Sequence, residues 1–250
     1  MSPARTSGEW LAYFEHNAAA LAAIPWSHGA ELSGPERAAL ARSIQGFQAG
    51  ESSEGLHLFR SAERHAARTA DPDYVAVTRL FIKEEQRHAR DLARFLELNG
   101  IPTLKTTFPD RVFRRLRHLV GSLEISIAVL ITAEIIALVY YAALQAATRS
   151  TILVSLCGQI LRDERRHVEF QSEQLGHFRA GRGRLPLAAT HGLQRVLFFG
   201  TCLVVWAFHR RAFRLGGYSF GRYWRDCWSE FEGAFAHAAA TRTLPVRARP

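Results

Sequence analysis

Residues 84–88 read Glu-Glu-Gln-Arg-His and residues 163–167 read Asp-Glu-Arg-Arg-His, so one phrase, acidic-Glu-x-Arg-His, is written twice, 79 residues apart. A lone glutamate precedes each copy: Glu54 stands 31 residues before Glu85, and Glu134 stands 30 before Glu164. Residues three apart on an α-helix share a face, so Glu85 with His88, and Glu164 with His167, can each aim a carboxylate and an imidazole at one point. A hairpin of two helices, each about 30 residues long at about 1.5 Å per residue, returns the chain to the same height and sets the lone glutamate beside the pair. Two such hairpins make an all-α four-helix bundle in which four carboxylates and two imidazoles converge, a donor set suited to two iron or manganese ions.

The Glu-x-x-His spacing alone proves little. A chain with 17 Glu and 11 His among 250 residues produces roughly 0.75 such matches by chance, and Glu54-Gly-Leu-His57 is a third copy. The weight lies in the repeat spacing and in helical phase. Phe81, Glu85, His88 and Leu92 share one stripe; Leu153, Leu156, Ile160, Glu164 and His167 share another; Glu134 continues the stripe of Ile127, Leu130 or Ile131, Leu138 and Tyr141. A carboxylate on an apolar face costs several kcal/mol unless it is paired or metal-bound, so Glu134 is the residue hardest to explain without a metal. At the first position Glu51, one turn earlier on nearly the same face, stays open beside Glu54. Glu124 lies off the Glu134 stripe and reads as a helix-edge residue, and His57, His65 and His118 read as ordinary histidines.

Boundaries follow from capping chemistry. An amphipathic piece over residues 8–22 stops before Pro25. Ser33-Gly-Pro35-Glu36 is a capping box that opens a helix expected to reach Thr69, and Asp71-Pro72 opens the next, which ends at Asn99-Gly100-Ile-Pro102. A third helical stretch is expected from Pro109 to Ala147, a fourth from Ser150 to Phe178, and two more over 187–214 and 219–240. This divides the chain into an N-terminal arm (1–35), the metal-binding bundle (36–178) and a C-terminal extension (187–250).

Charge is uneven. Of the net +9, none comes from residues 1–175, where 20 basic and 20 acidic residues balance; residues 176–250 hold 12 Arg against three acids. Thirty of the 32 basic residues are Arg, which weakens the tail as a nucleic-acid signal, and a nucleic-acid partner is not expected. Val196 to Phe208 is apolar, too short to span a bilayer, and followed by Arg210, Arg211, Arg214 and several aromatics. That composition suits either two helices packed on the bundle with a solvated Arg face, or a peripheral membrane contact. Ile125 to Leu144 has spanning length but carries Glu134 near its middle, which favours burial inside protein. Three widely spaced cysteines and an N-terminus without a signal-like apolar run fit a cytoplasmic protein with reduced thiols.

The set Glu54, Glu85, His88, Glu134, Glu164 and His167 resembles the ligands of the ferritin-like di-iron carboxylate superfamily over residues 36–178, and Asp163-Glu164-Arg-Arg166-His167 is similar to the signature of its bacterial monooxygenases. The resemblance implies that Glu84, Arg87, Asp163 and Arg166 orient the imidazoles. It also implies a cofactor of two iron ions, or manganese or a mixed Mn/Fe pair, that activates O2 to oxidise or hydroxylate a hydrophobic organic substrate, with electrons from an external reductase or ferredoxin. Phe81, Ile131, Leu138, Tyr141 and Ile160 are the expected pocket wall. The alternatives are a non-catalytic iron-handling protein and a dinuclear Mn/Fe peroxidase. Rubrerythrin-like peroxidases add a glutamate one turn after the third-helix ligand, where this chain has Ala137 and Leu138.

Overall fold

The computed structural model describes residues 4–52, 55–104 and 122–243, and all regular structure among them is helical. The order is α1 (Ser7–Ala19), a 3-10 turn (Trp26–His28), α2 (Gly34–Glu51), α3 (Leu56–Thr69), α4 (Pro72–Leu98), α5 (Leu123–Ala146), α6 (Thr151–Phe178), α7 (Arg184–Leu215) and α8 (Phe220–Thr243). The expected start at Pro109 lies outside the described residues.

Helix α5 is the axis. Seventeen of its 24 residues are buried, on every side, as its unbroken apolar composition requires. It packs against α6 and, more lightly, against α3, α7 and α8, while α4 packs against α1, α2, α3 and α6. Each fully buried Leu or Ile side chain contributes roughly 1.5–3 kcal/mol of transfer free energy, and Ile131, Ile135, Leu144, Leu153 and Ile160 all have 0% exposure.

The expected helix from Ser33 to Thr69 is not continuous. Helix α2 ends at Glu51 and α3 begins at Leu56, directly after Gly55, which adopts a left-handed φ of +66°. A side chain at Gly55 would meet Ile82 of α4 at 2.7 Å. Only glycine combines that backbone with that closeness, and a signal was present in the sequence, since Gly50, Ser52, Ser53 and Gly55 are all poor helix formers.

The capping box at Ser33 forms as the sequence suggests: Ser33 Oγ accepts from Glu36 N and Glu36 Oε2 accepts from Ser33 N at 2.9 Å. The other oxygen of Glu36 accepts from Thr148 Oγ1 and Arg149 N, so the cap also clamps the α5–α6 turn. Glu31 does the same at the start of α6, accepting from Ser150, Thr151 and Ile152 N. Burial opposes both charges, but these donors outweigh it and hold each carboxyl at about 2.

The arm and the extension pack directly on the bundle. Trp10 and Phe14 of α1 have no exposed surface, and Trp10 Nε1 donates to Glu173 of α6 at 2.7 Å. Helix α7 sets Gln194 against Ala128 O and Thr132 Oγ1 of α5. It also buries His209 beside Ser43 of α2, whose hydroxyl contacts both His209 Nδ1 and Tyr140 OH at 2.9 Å. All three cysteines are buried and free.

Candidate metal centre

Four bundle helices each deliver carboxylates to one buried point. Helix α4 brings Glu85 and His88, α6 brings Glu164 and His167, α5 brings Glu134, and the last residue of α2 brings Glu51. Their donor atoms form two groups, Glu51, Glu85, His88 and Glu164 in one and Glu85, Glu134, Glu164 and His167 in the other, each within 4.8 Å. Glu85 and Glu164 belong to both. The geometry is therefore two adjacent positions, each with its own glutamate and imidazole, joined by two shared carboxylates.

Among the described residues the first-helix member of this cluster is Glu51; Glu54, preferred on spacing, lies outside them. Glu51 Oε1 accepts from Tyr141 OH at 2.8 Å.

The imidazoles are held by a reciprocal exchange. His88 Nε2 lies 3.0 Å from Asp163 Oδ2 on α6, and His167 Nε2 lies 2.9 Å from Glu84 Oε2 on α4. A neutral imidazole that donates from Nε2 keeps a lone pair on Nδ1, and each Nδ1 faces the cluster. His167 Nδ1 stands 2.9 Å from Glu85 and 3.5 Å from Glu164, and His88 Nδ1 stands 3.5 Å from Glu164. Both Nδ1 atoms, both oxygens of Glu164 and one of Glu85 are buried with no hydrogen-bond partner. Five orphaned donor atoms around one point are costly in a folded protein and fit a pair of cations.

Electrostatics lead to the same conclusion. Burial, and then the neighbouring carboxylates, push Glu51 and Glu164 well above the usual carboxyl range and raise Glu85. Burial also opposes the charge on Glu134, but the adjacent Glu164 and His167 and the Gln171 amide, which donates to it at 3.0 Å, outweigh burial and hold that group at about 2. His167, although burial disfavours its cation, is pushed well above the imidazole range by the carboxylates around it. Without metal the pocket gathers protons in place of cations.

The four supporting residues divide. Glu84 and Asp163 touch the imidazoles, and Arg87 donates to Asp163. With the bonds from His88 and Asn17 it holds the Asp163 carboxyl at about 2 against the opposing effect of burial. Arg166 does not orient an imidazole: it turns outward to Glu169 at 2.6 Å and lies over the Tyr13 ring. Its neighbour His167 takes the inward position, and adjacent residues on a helix diverge by about 100°. Glu124 is an edge residue, paired with Arg179 and Arg182.

Asn17 was invisible to motif reading. From α1 its Nδ2 donates to Glu84 Oε1 at 2.6 Å and to Asp163 Oδ1 at 2.9 Å, tying together the two carboxylates that hold the histidines. An Asn17→Ala change is expected to weaken metal binding about tenfold while the helical content is kept. A competitive chelator titration reads this directly, and parental affinity in the variant would remove Asn17 from the site.

Of the expected pocket wall, Phe81 packs its ring 4.7 Å from the His167 ring, and Tyr141 bonds Glu51. Ile131, Leu138 and Ile160 are buried in the same apolar cluster.

Fold and donor cluster together define a ferritin-like helical bundle with a carboxylate–imidazole centre. Among solved structures the chain is similar to an R2-like ligand-binding oxidase, in a mutant form with an aerobically reconstituted Mn/Fe cofactor, with a TM-score of 0.65 at 17% identity over 95% of this chain and 93% of that one. Two further mutants of the oxidase, also with Mn/Fe, give TM-scores of 0.59 at 16% identity over 93% of this chain. No protein-family model and no curated protein matches the sequence.

Proposed function

We propose that this protein is a dinuclear metal oxidoreductase, with two iron ions or an Mn/Fe pair, that uses O2 to oxidise or hydroxylate a hydrophobic organic substrate. The observation that carries this reading is the convergence of partnerless, buried His88 Nδ1, His167 Nδ1 and Glu164 oxygens between carboxylates shared by two positions. The solved structures with the same fold contain an Mn/Fe cofactor and are oxidases, which supports the reading.

Glu51 and His88 would hold one ion, Glu134 and His167 the other, and Glu85 and Glu164 both. When bound, the metal pair supplies electrons to dioxygen and oxidising power toward the substrate. The protein residues do the rest. Glu84 and Asp163 fix the imidazole tautomers, with Asn17 and Arg87 fixing those two carboxylates in turn. Phe81, Ile131 and Ile160 surround the centre with hydrocarbon that excludes water, and Tyr141 holds a hydroxyl proton against Glu51. An external reductase or ferredoxin would return electrons to the centre.

The test is anaerobic loading with ferrous iron, alone and with manganese, followed by exposure to air. The expected result is two ions per chain and a single, stoichiometric uptake of O2. Continuous uptake of many irons per chain would instead identify an iron-storing protein and remove the oxidase reading.

A further inference from the structure

Helix α7 has two faces of different chemistry. Its inner face, with Gln194, Phe198, Cys202 and His209, is buried against the bundle and α8. Its outer face carries large apolar residues as well as arginines. Leu193, Val196, Phe199, Leu203, Val204 and Phe208 are all exposed, Leu193 by 72% and Val196 by 70%. They follow one another at helical spacing along about 22 Å of axis. Beside them Phe199, Val196, Trp224 and Trp228 line an open groove of about 420 Å³, with Arg195 at its edge. Only a third of the most apolar window of this helix is buried, against 83% for α5.

Charge identifies what covers this face. Arg210, Arg211 and Arg214 continue the exposed side of α7 directly beyond Phe208, and none of the three forms an ion pair among the described residues. Two of the three acids of α8 are engaged elsewhere, Glu232 with Arg195 at 3.0 Å and Asp226 with Arg222 at 3.6 Å. A second copy of this face would present the same arginines and could not neutralise them. An anionic surface with an apolar interior would.

We propose that the outer face of α7, with the Trp224–Trp228 groove, docks flat on an anionic phospholipid bilayer, the aliphatic and Phe side chains entering the acyl boundary and Arg210, Arg211 and Arg214 meeting lipid phosphates. The helix lies on the membrane and does not cross it, because its inner face stays committed to the bundle. The inference stands independently of the chemistry at the metal centre.

Co-sedimentation of the full chain with vesicles tests it. Vesicles of phosphatidylcholine containing phosphatidylglycerol should bind at least about tenfold more tightly than phosphatidylcholine alone, and added salt should erode the difference. Replacing Arg210, Arg211 and Arg214 together with Gln should abolish the preference for anionic vesicles, and a Phe199→Ser, Phe208→Ser double variant should lose binding to both. These side chains face outward, so the variants should match the parent's circular dichroism; the salt dependence of the parent needs no variant at all. A parent chain that ignores anionic vesicles overturns the proposal. So does a parent dimer that the two Phe→Ser changes split, since the occupant would then be a second copy.

Discussion

Glu164→Gln will reduce metal binding by more than about a hundredfold, a larger loss than removing an outlying support, and will make the metal-free protein more stable than the metal-free parent at pH 8. The first effect follows because Glu164 belongs to both groups of donor atoms. The second follows because this carboxyl has no exposed surface, both oxygens lack partners, and burial and then Glu134 push its pKa far upward. Glu51 and Glu85 are raised by the same crowding, and His167 is raised by the carboxylates.

A carboxyl whose folded pKa exceeds its unfolded value contributes stability that is complete below the unfolded value near 4.5 and is lost as pH rises through the folded one. Metal-free parent protein should therefore weaken from pH 5 upward through neutrality, with His167 adding to the loss above the ordinary imidazole value of 6.5. Glu134 and Asp163, both held at about 2, act oppositely, and their contributions fade only in acid, as pH falls from the unfolded carboxyl range toward that value. Gln at position 164 keeps the shape and removes one raised carboxyl, so the metal-free variant should lose less stability than the parent as pH rises. Metal loading does the same by displacing protons, so loading the parent should release them. Elemental analysis after gel filtration, with melting curves at pH 6 and 8 in the presence and absence of metal, checks both halves. A Glu164→Gln protein that retains two ions would defeat the site assignment.

The parts of this centre that motif spacing marks are those whose helices run unbroken through the site. Glu85 with His88 and Glu164 with His167 lie on α4 and α6, continuous for 27 and 28 residues, so a three-residue offset translates faithfully into a shared face. Glu134 stands out because α5 is apolar on all sides and a charge there needs a reason. At the first helix residue counting is a weaker guide, since α2 ends at Glu51 and Gly55 turns left-handed before α3. Asn17 escaped because the contact it makes is set by how α1 lies across α4 and α6, and nothing in residues 8–22 encodes that packing partner. Arg166 shows the limit of transferring a motif letter by letter: His167 faces the carboxylate cluster and the residue before it faces Glu169. The C-terminal helices were legible as helices, but composition alone left undecided whether Arg or apolar residues formed the outer face of α7.

How firmly α7 and α8 belong to the bundle decides whether residues 184–243 can be treated as an appendage, and one glycine measures it. A Cβ on Gly216, the residue capping α7, would lie 2.2 Å from the backbone oxygen of Ala143 on α5. No rotamer change relieves that overlap, because both partners are backbone; either α7 moves away from α5 or α5 distorts within its own hydrogen-bonded ladder. Phe213, Tyr218 and Tyr223, all buried beside this contact, would shift with it. Gly216→Ala is therefore expected to destabilise the protein by several kcal/mol, at the upper end of single-residue effects. Gly200→Ala supplies the contrast on the same helix, since a Cβ there meets nothing within 4 Å. That change should be neutral or stabilising by up to about 1 kcal/mol through helix propensity. Urea unfolding of both variants beside the parent separates the cases: if the two alanines behave alike, α7 does not rest on α5 as closely as Gly216 requires, and the extension is separable from the bundle after all.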